Sequence, residues 1–199
     1  MAVNIGILKT DLYWKIEENF HSAIENGDTM TNDLLQYSKI TSENKERILV
    51  NFDHVLEHAL TNLKVQIEEN NAIITHDKLP TIKADEHLKV QLFQNIIGNT
   101  LKYRSQETPT IHISITKEKN QYLFSIKDNG IGMSSKHMEK IFIIFQRLHT
   151  HEGYEGTGIG LAIAQKIVHQ KGGQSGLNQN LEKAQHSILP FQLIINPLD

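Results

Sequence analysis

The sequence predicts an α+β fold: a two-layer α/β sandwich with one mixed sheet, helices on one face, and a long N-terminal helix ahead of it. Three observations carry this. Long stretches such as "EHLKVQLFQNIIGNTLKYR" repeat apolar residues at helical spacing, whereas "TIHISITKEK" and "QYLFSIKD" alternate like strands. The first forty residues hold a third pattern, a heptad seam.

In chain order, the seam comes first. Ile16, Phe20, Ala23, Gly27, Met30, Leu34 and Tyr37 step by four and three. Gly27 within it costs roughly 1 kcal/mol relative to Ala, so this helix needs a partner. The partner is either its own domain or the other half of a helical hairpin in a dimeric bundle. The boundaries expected are a helix over 1–42 and a second domain over 43–199. "KERILVNF" reads as a short strand and "DHVLEHALTNLKVQIEENN" as one helix with Asp53 near its start. "AIITHD" and "PTIKAD" are further short strands. Asp85 is placed to cap the helix of "EHLKVQLFQNIIGNTLKYR". The two alternating strands follow, joined by a turn at "EKNQ". "SSKHMEKIFIIF" reads as a helix with a polar start, and "QRLHTHEGYEG" as a loop. "GIGLAIAQKIVHQKGG" is a helix ended by Gly172 and Gly173. The tail should add two strands.

Composition narrows the function classes. In 199 residues with 39% apolar content a real core is available. The net charge of −3 includes no basic patch of the kind that tracks nucleic acid. No run is long enough to span a membrane, and "MAVNIGILKT" lacks the apolar core of a signal peptide. Cysteine is absent, which removes disulfides and thiolate metal sites and fits a reducing cytoplasm. The eleven histidines form no HExxH.

Three constellations bear chemistry. On the helix over 86–103, Asn95, Asn99 and Lys102 fall within a sector of about 60°. Amide oxygens suit a hard cation such as Mg²⁺, and an ammonium beside them suits a phosphate oxygen. A solvated polar face would look the same. In "DNGIGM", Asp128 ends a strand before a Gly-x-Gly turn. Its carboxylate can accept from an exocyclic amine such as that of adenine, and Gly130 and Gly132 let a flat ring approach. The stretch is also good turn chemistry. In "GTGIGLAIA", Gly156, Gly158 and Gly160 alternate just before an apolar helix. A glycine loop at a helix N-terminus seats anions, and it also packs a helix tightly against a strand. Between the last two, Phe142 and Phe145 are candidate anchors for a loop, and Arg147 is a candidate phosphate ligand.

The order of these boxes, an Asn-rich helix, Asp-x-Gly-x-Gly, Phe-x-x-Phe and Gly-x-Gly-x-Gly, resembles the ATP-binding domain of sensor histidine kinases. The resemblance runs over roughly residues 31–173, from "NDLLQYSKI" to "GTGIGLAIAQKIVHQKGG", and "IFQRLH" is similar to the phytochrome-related branch. It implies the Bergerat-type sandwich shared with type II topoisomerases, heat-shock chaperone ATPases and mismatch-repair ATPases. It implies ATP and Mg²⁺ as cofactors. Asn99 would hold the magnesium with Asn95 assisting, Lys102 would meet a phosphate, and Asp128 would bind the adenine amine between Gly130 and Gly132. Residues 134–156 would form a lid with Arg147 near the phosphates. Gly156, Thr157, Gly158, Gly160 and Leu161 would seat the triphosphate.

The resemblance also implies transfer to a histidine and relay to a response regulator. Hydrolysing relatives carry a glutamate four residues before the magnesium asparagine. Asn95 stands there, and an amide is no general base. Two departures stand out. "NDLLQYSKI" resembles the end of the second hairpin helix, so the first helix with its acceptor histidine is expected to be missing, and His21 on the retained helix has no adjacent acid. The family's Gly-x-Gly-S/T-x-Phe turn is replaced by "EKAQHSILPFQL". The chain therefore reads as a fragment, able to bind ATP but not to phosphorylate itself, from a full-length kinase that dimerises through the N-terminal helix. The competing readings are a degenerate nucleotide-binding regulatory module, a hydrolysing ATPase, and an anti-sigma-type serine kinase.

Overall fold

The structure, a computed structural model, describes residues 27–42, 47–118, 121–132, 137, 140–146, 156–169, 174–177 and 191–195. Helix α1 spans Gly27–Ser42; the seam positions Ile16, Phe20 and Ala23 lie outside the described residues. Strand β1 (Ile48–Asn51) leads directly into α2 (Phe52–Asn62). The Asn51 side chain accepts the Asp53 N–H at 3.0 Å and caps α2. Asp53 itself turns outward and accepts the Leu79 N–H at 2.9 Å, tying down a distant connection.

The long helix expected over "DHVLEHALTNLKVQIEENN" is broken at Leu63, after which α3 spans Lys64–Glu69. Leu63 takes φ −97°, ψ 6°, and its N–H is shared between the Ala59 and Leu60 carbonyls. Thr61 and Asn62 are weak helix formers, and the Thr61 hydroxyl bonds back to the Glu57 carbonyl. The break lets Leu63 turn inward and become buried.

The strands divide between two sheets rather than forming one. β1 pairs antiparallel with β3 (Thr81–Ala84) in a small ribbon. The larger sheet has the order β2-β4-β5-β7-β6, with β2 Ile73–His76, β4 Thr110–Glu118, β5 Gln121–Asp128, β6 Gln174–Leu177 and β7 Phe191–Ile195. β2 runs parallel to β4 and the other pairs are antiparallel, so this sheet is mixed as expected. Pro80, which has no N–H to donate to a ladder, stands just before β3. Its carbonyl instead accepts the Phe52 N–H at 3.0 Å, seating the ribbon beside α2.

One face of the large sheet is covered. Ile111, Ile113, Phe124 and Ile126 are buried, while His112, between the first two, and its cross-strand partner Lys127 are exposed. Above them lie α2, α4 (Glu86–Lys102) and α5 (Gly160–His169). Asp85 caps α4 through the Leu88 N–H, as the sequence predicts. Phe52, Phe93 and Phe124 join α2, α4 and β5, with centroids 5.3 to 6.4 Å apart. The two tail strands are present. Gly172 and Gly173, expected to end α5, lie outside the described residues. The helix expected over "SSKHMEKIFIIF" is not found where it is described: Lys140–Phe142 form a single 3-10 turn. Phe145, with φ +63°, reverses the chain soon after, and both Phe142 and Phe145 pack against the core.

Candidate functional site

The second half of α4 is the spine of the site. Leu92, Phe93, Ile96, Ile97 and Leu101 are buried on one side, which fixes the rotation of the helix. That rotation aims Asn95, Asn99 and Lys102, all half-buried, in a different direction. Two glycine turns from distant parts of the chain approach this half of the helix, one at its C-cap Tyr103 and one at Asn95 and Lys102.

The first turn follows β5. Asp128 is the last residue of that strand and pairs with Ile111. Its Oδ1 accepts the Gly130 N–H at 2.8 Å. Burial pushes the Asp128 carboxyl above the ordinary carboxylate range, and hydrogen bonds from the Gly130 N–H and the Thr100 side chain pull part of the way back. The Ile131 N–H donates to the Tyr103 carbonyl at 3.0 Å, which binds the turn to the end of α4. At Gly130 a Cβ would lie 2.7 Å from the Tyr103 carbonyl oxygen and 2.8 Å from Asp128 Oδ1. Glycine is required there by the protein's own packing. Gly132 has φ +65° and turns the chain. Asn129 was not singled out from the sequence. Its Oδ1 accepts the Thr110 N–H and its Nδ2 donates to the Thr108 carbonyl, both at 2.9 Å, so it anchors the turn to the start of β4. Asn-Gly turn chemistry was the signal that could have found it.

The second turn precedes α5. Gly156 and Gly158 have φ +146° and +71°, which side-chain-bearing residues rarely adopt. A Cβ on Gly156 would sit 2.5 Å from Lys102 Nζ, and one on Gly160 would sit 3.3 Å from Asn95 Oδ1. The loop thus lies directly against both α4 side chains. Lys102 Nζ also stands 5.0 Å from the Tyr103 ring centroid. Asn95 Nδ2 is buried without a partner among the described residues. Such a donor costs about 1–3 kcal/mol, and its persistence fits a site in which a ligand oxygen accepts from it. Leu161, half-buried on the first turn of α5, packs toward the core.

One expected contact of this loop is with the protein. The Thr157 hydroxyl donates to Asp33 Oδ2 on α1 at 2.6 Å. Arg147 lies outside the described residues, as do His21 and most of the lid expected over 134–156. Of the sequence's candidates, the structure sets Gly156 against Lys102, Gly160 against Asn95, and the Asp128–Gly130 turn against the Tyr103 carbonyl at the end of α4. No group of three or more His, Cys, Asp or Glu suited to a metal occurs among the described residues.

The profile of the family described as "Histidine kinase-, DNA gyrase B-, and HSP90-like ATPase" matches residues 83–186. The chain is 46% identical over 140 residues to "Cyanobacterial phytochrome A" of Nostoc sp., covering 70% of this chain and 18% of that protein. It is 39% identical over 152 residues to "Phytochrome-like protein Cph1" of Synechocystis sp., covering 76% and 20%. To "Sensor histidine kinase WalK" of Bacillus subtilis it is 31% identical over 151 residues, covering 72% and 25%. The matched part is thus a quarter or less of the length of these relatives. Among solved structures, the fold is similar to ShkA full-length in complex with AMPPNP, with a TM-score of 0.68 at 23% identity over 85% of this chain and 35% of that one. It is also similar to the Acinetobacter baumannii histidine kinase AdeS, with a TM-score of 0.69 at 18% identity over 99% of this chain and 96% of that one.

Proposed function

The chain belongs to the histidine kinase-, DNA gyrase B- and HSP90-like ATPase family, and on that premise we propose that it is the ATP-binding catalytic domain of a sensor histidine kinase. The observation that supports this best is the approach of two glycine turns to the second half of α4, one at the backbone carbonyl of its C-cap Tyr103 and the other at Asn95 and Lys102. The resemblance to phytochrome-type and WalK sensor kinases supports the kinase branch.

In this reading Asp128 accepts from the adenine amine, and Gly130 and Gly132 leave the base room to lie against the turn. Gly156, Thr157, Gly158 and Gly160 wrap the triphosphate, and the unpaired N–H groups of the first turn of α5, near Leu161, face it. Lys102 neutralises phosphate charge, with Arg147 as a second cation. Asn99, with Asn95, would hold Mg²⁺, which when bound screens the triphosphate and orients it. The γ-phosphoryl group passes to an imidazole nitrogen: an N–P bond forms, the bridging P–O bond to the β-phosphate breaks, and ADP leaves. Positioning and charge neutralisation suffice for such a step. Asn95 cannot take a proton from water at neutral pH, which favours transfer over hydrolysis.

The acceptor histidine would come from a hairpin helix supplied by the rest of a full-length protein, with α1 as part of that hairpin and a domain division between residues 1–42 and 43–199. The phosphoryl group would move on to a response regulator. The full-length protein would be a homodimer working in the cytoplasm. Among the described residues no helix is long and apolar enough to cross a membrane.

The test is an ATP titration with and without Mg²⁺ on the wild type, Asn99→Ala and Asp128→Ala, followed by addition of a hairpin fragment bearing a histidine. Mg²⁺-dependent binding lost in both variants, with label on the added histidine, is the expected result. Binding without transfer would replace the kinase by a nucleotide-sensing module. No binding would overturn the site.

A further inference from the structure

Helix α1 reaches the glycine loop through one side chain. Asp33 Oδ2 accepts the Thr157 hydroxyl at 2.6 Å, across 124 positions of sequence. The contact is short and charge-assisted. Thr157 is the one residue between Gly156 and Gly158, so its side chain is the only handle on that part of the loop. The same hydroxyl oxygen accepts the Ile159 N–H at 3.4 Å. Fixing it therefore fixes the entry to α5.

Asp33 is itself held in place. One turn later on α1, the Tyr37 carbonyl accepts from Lys166 Nζ of α5 at 2.7 Å, and that ammonium lies 3.8 Å from the Tyr37 ring centroid. Gln36 Oε1 accepts from Gln91 Nε2 of α4 at 2.7 Å, and Ile40 is buried. The helix thus contacts both α4 and α5.

This places a carboxylate against a loop whose backbone is otherwise built to receive negative charge. A half-buried carboxylate and a polyphosphate repel each other with little screening. We infer that Asp33 is an electrostatic latch: it holds the Gly156–Gly158 loop through Thr157 and opposes the seating of a polyphosphate there, so that docking of α1 and nucleotide binding weaken one another. The inference rests on the reading of this loop as the triphosphate seat. Linkage makes the antagonism reciprocal: whatever factor docked α1 takes from nucleotide affinity, bound nucleotide takes from α1 docking.

The experiment is calorimetric titration of the whole chain with ATP and, separately, with adenosine. Asp33→Asn keeps the shape and removes the charge, and Asp33→Ala removes both charge and hydrogen bond. The expected result is ATP affinity raised about tenfold in each variant, adenosine affinity unchanged, and a gain that shrinks as salt is added. ATP affinity unchanged or lowered in the variants, with the wild type binding normally, overturns the latch. So does an equal gain for adenosine, because the effect would then pass through the fold and not through phosphate charge. A wild type that binds adenosine but gains nothing from the phosphates overturns the seat itself, and the latch with it.

Discussion

The carbonyl oxygen of Tyr103 occupies the space that a side chain on residue 130 would need: a Cβ built on Gly130 lies 2.7 Å from it. The end of α4 and the turn after β5 are therefore in backbone contact. Because the obstacle is main chain and not a movable side chain, Gly130→Ala must displace one of the two. A loss of about 1–3 kcal/mol is expected, read by urea unfolding, together with loss of ATP binding in a titration. A variant of wild-type stability would show that the contact is loose.

Asp128 sets stability against binding. Burial raises its pKa, so the folded state prefers the neutral carboxyl. The stability this gives is fully present below the unfolded carboxylate value, about 3.9, and is lost as pH rises through the raised folded value. At neutral pH Asp128→Asn should therefore melt at a temperature no lower than the wild type, while ATP affinity falls by about 1–3 kcal/mol because a neutral amide oxygen replaces the charged acceptor. Thermal melts at neutral pH, paired with ATP titrations, check both halves.

Gly156→Ala should act on Lys102. The φ of +146° is strained for alanine, and the new methyl would meet Lys102 Nζ. The ammonium can swing away, so the fold should lose only about 1–2 kcal/mol. The larger effect should be on phosphate: ATP affinity falls while adenosine affinity holds. Equal losses for both ligands would contradict the assignment of this loop to the phosphates.

Phe124 reports on the packing beneath the site. It touches Phe52 and Phe93 from the sheet side and is fully buried. Phe124→Ala should cost about 3–5 kcal/mol, seen as a lower urea midpoint. A drop under about 1 kcal/mol would mean that the three rings can close the gap.

What the sequence discloses here is local. Asp85 capping α4, the alternation of β4 and β5, and the common direction of Asn95, Asn99 and Lys102 all follow from neighbours a few positions apart. What it conceals depends on distance. The break at Leu63 needs a core for that leucine to enter, and the periodicity on either side carries no trace of it. The separate β1–β3 ribbon depends on which strands find each other across about thirty positions, and no local pattern states that. The glycine at 130 was legible as a glycine near a ligand, but its immediate cause is the Tyr103 carbonyl, 27 positions earlier. The link between Asp33 and Thr157 has no pattern in sequence at all.

The order β2-β4-β5-β7-β6 puts the last described strand inside the large sheet, between β5 and β6. As the chain leaves a ribosome, β5 can pair with β4, but its other edge must wait until residues 191–195 emerge. β6 has no partner in the sheet until then. During synthesis the apolar edge of β5 is a template for any passing strand, and the floor beneath α5 is incomplete. The loop at Gly156 is made before the sheet beneath α5 is complete. A transcript cut short before "FQLII" would yield a protein with every glycine box intact and no finished sheet to hold them in place.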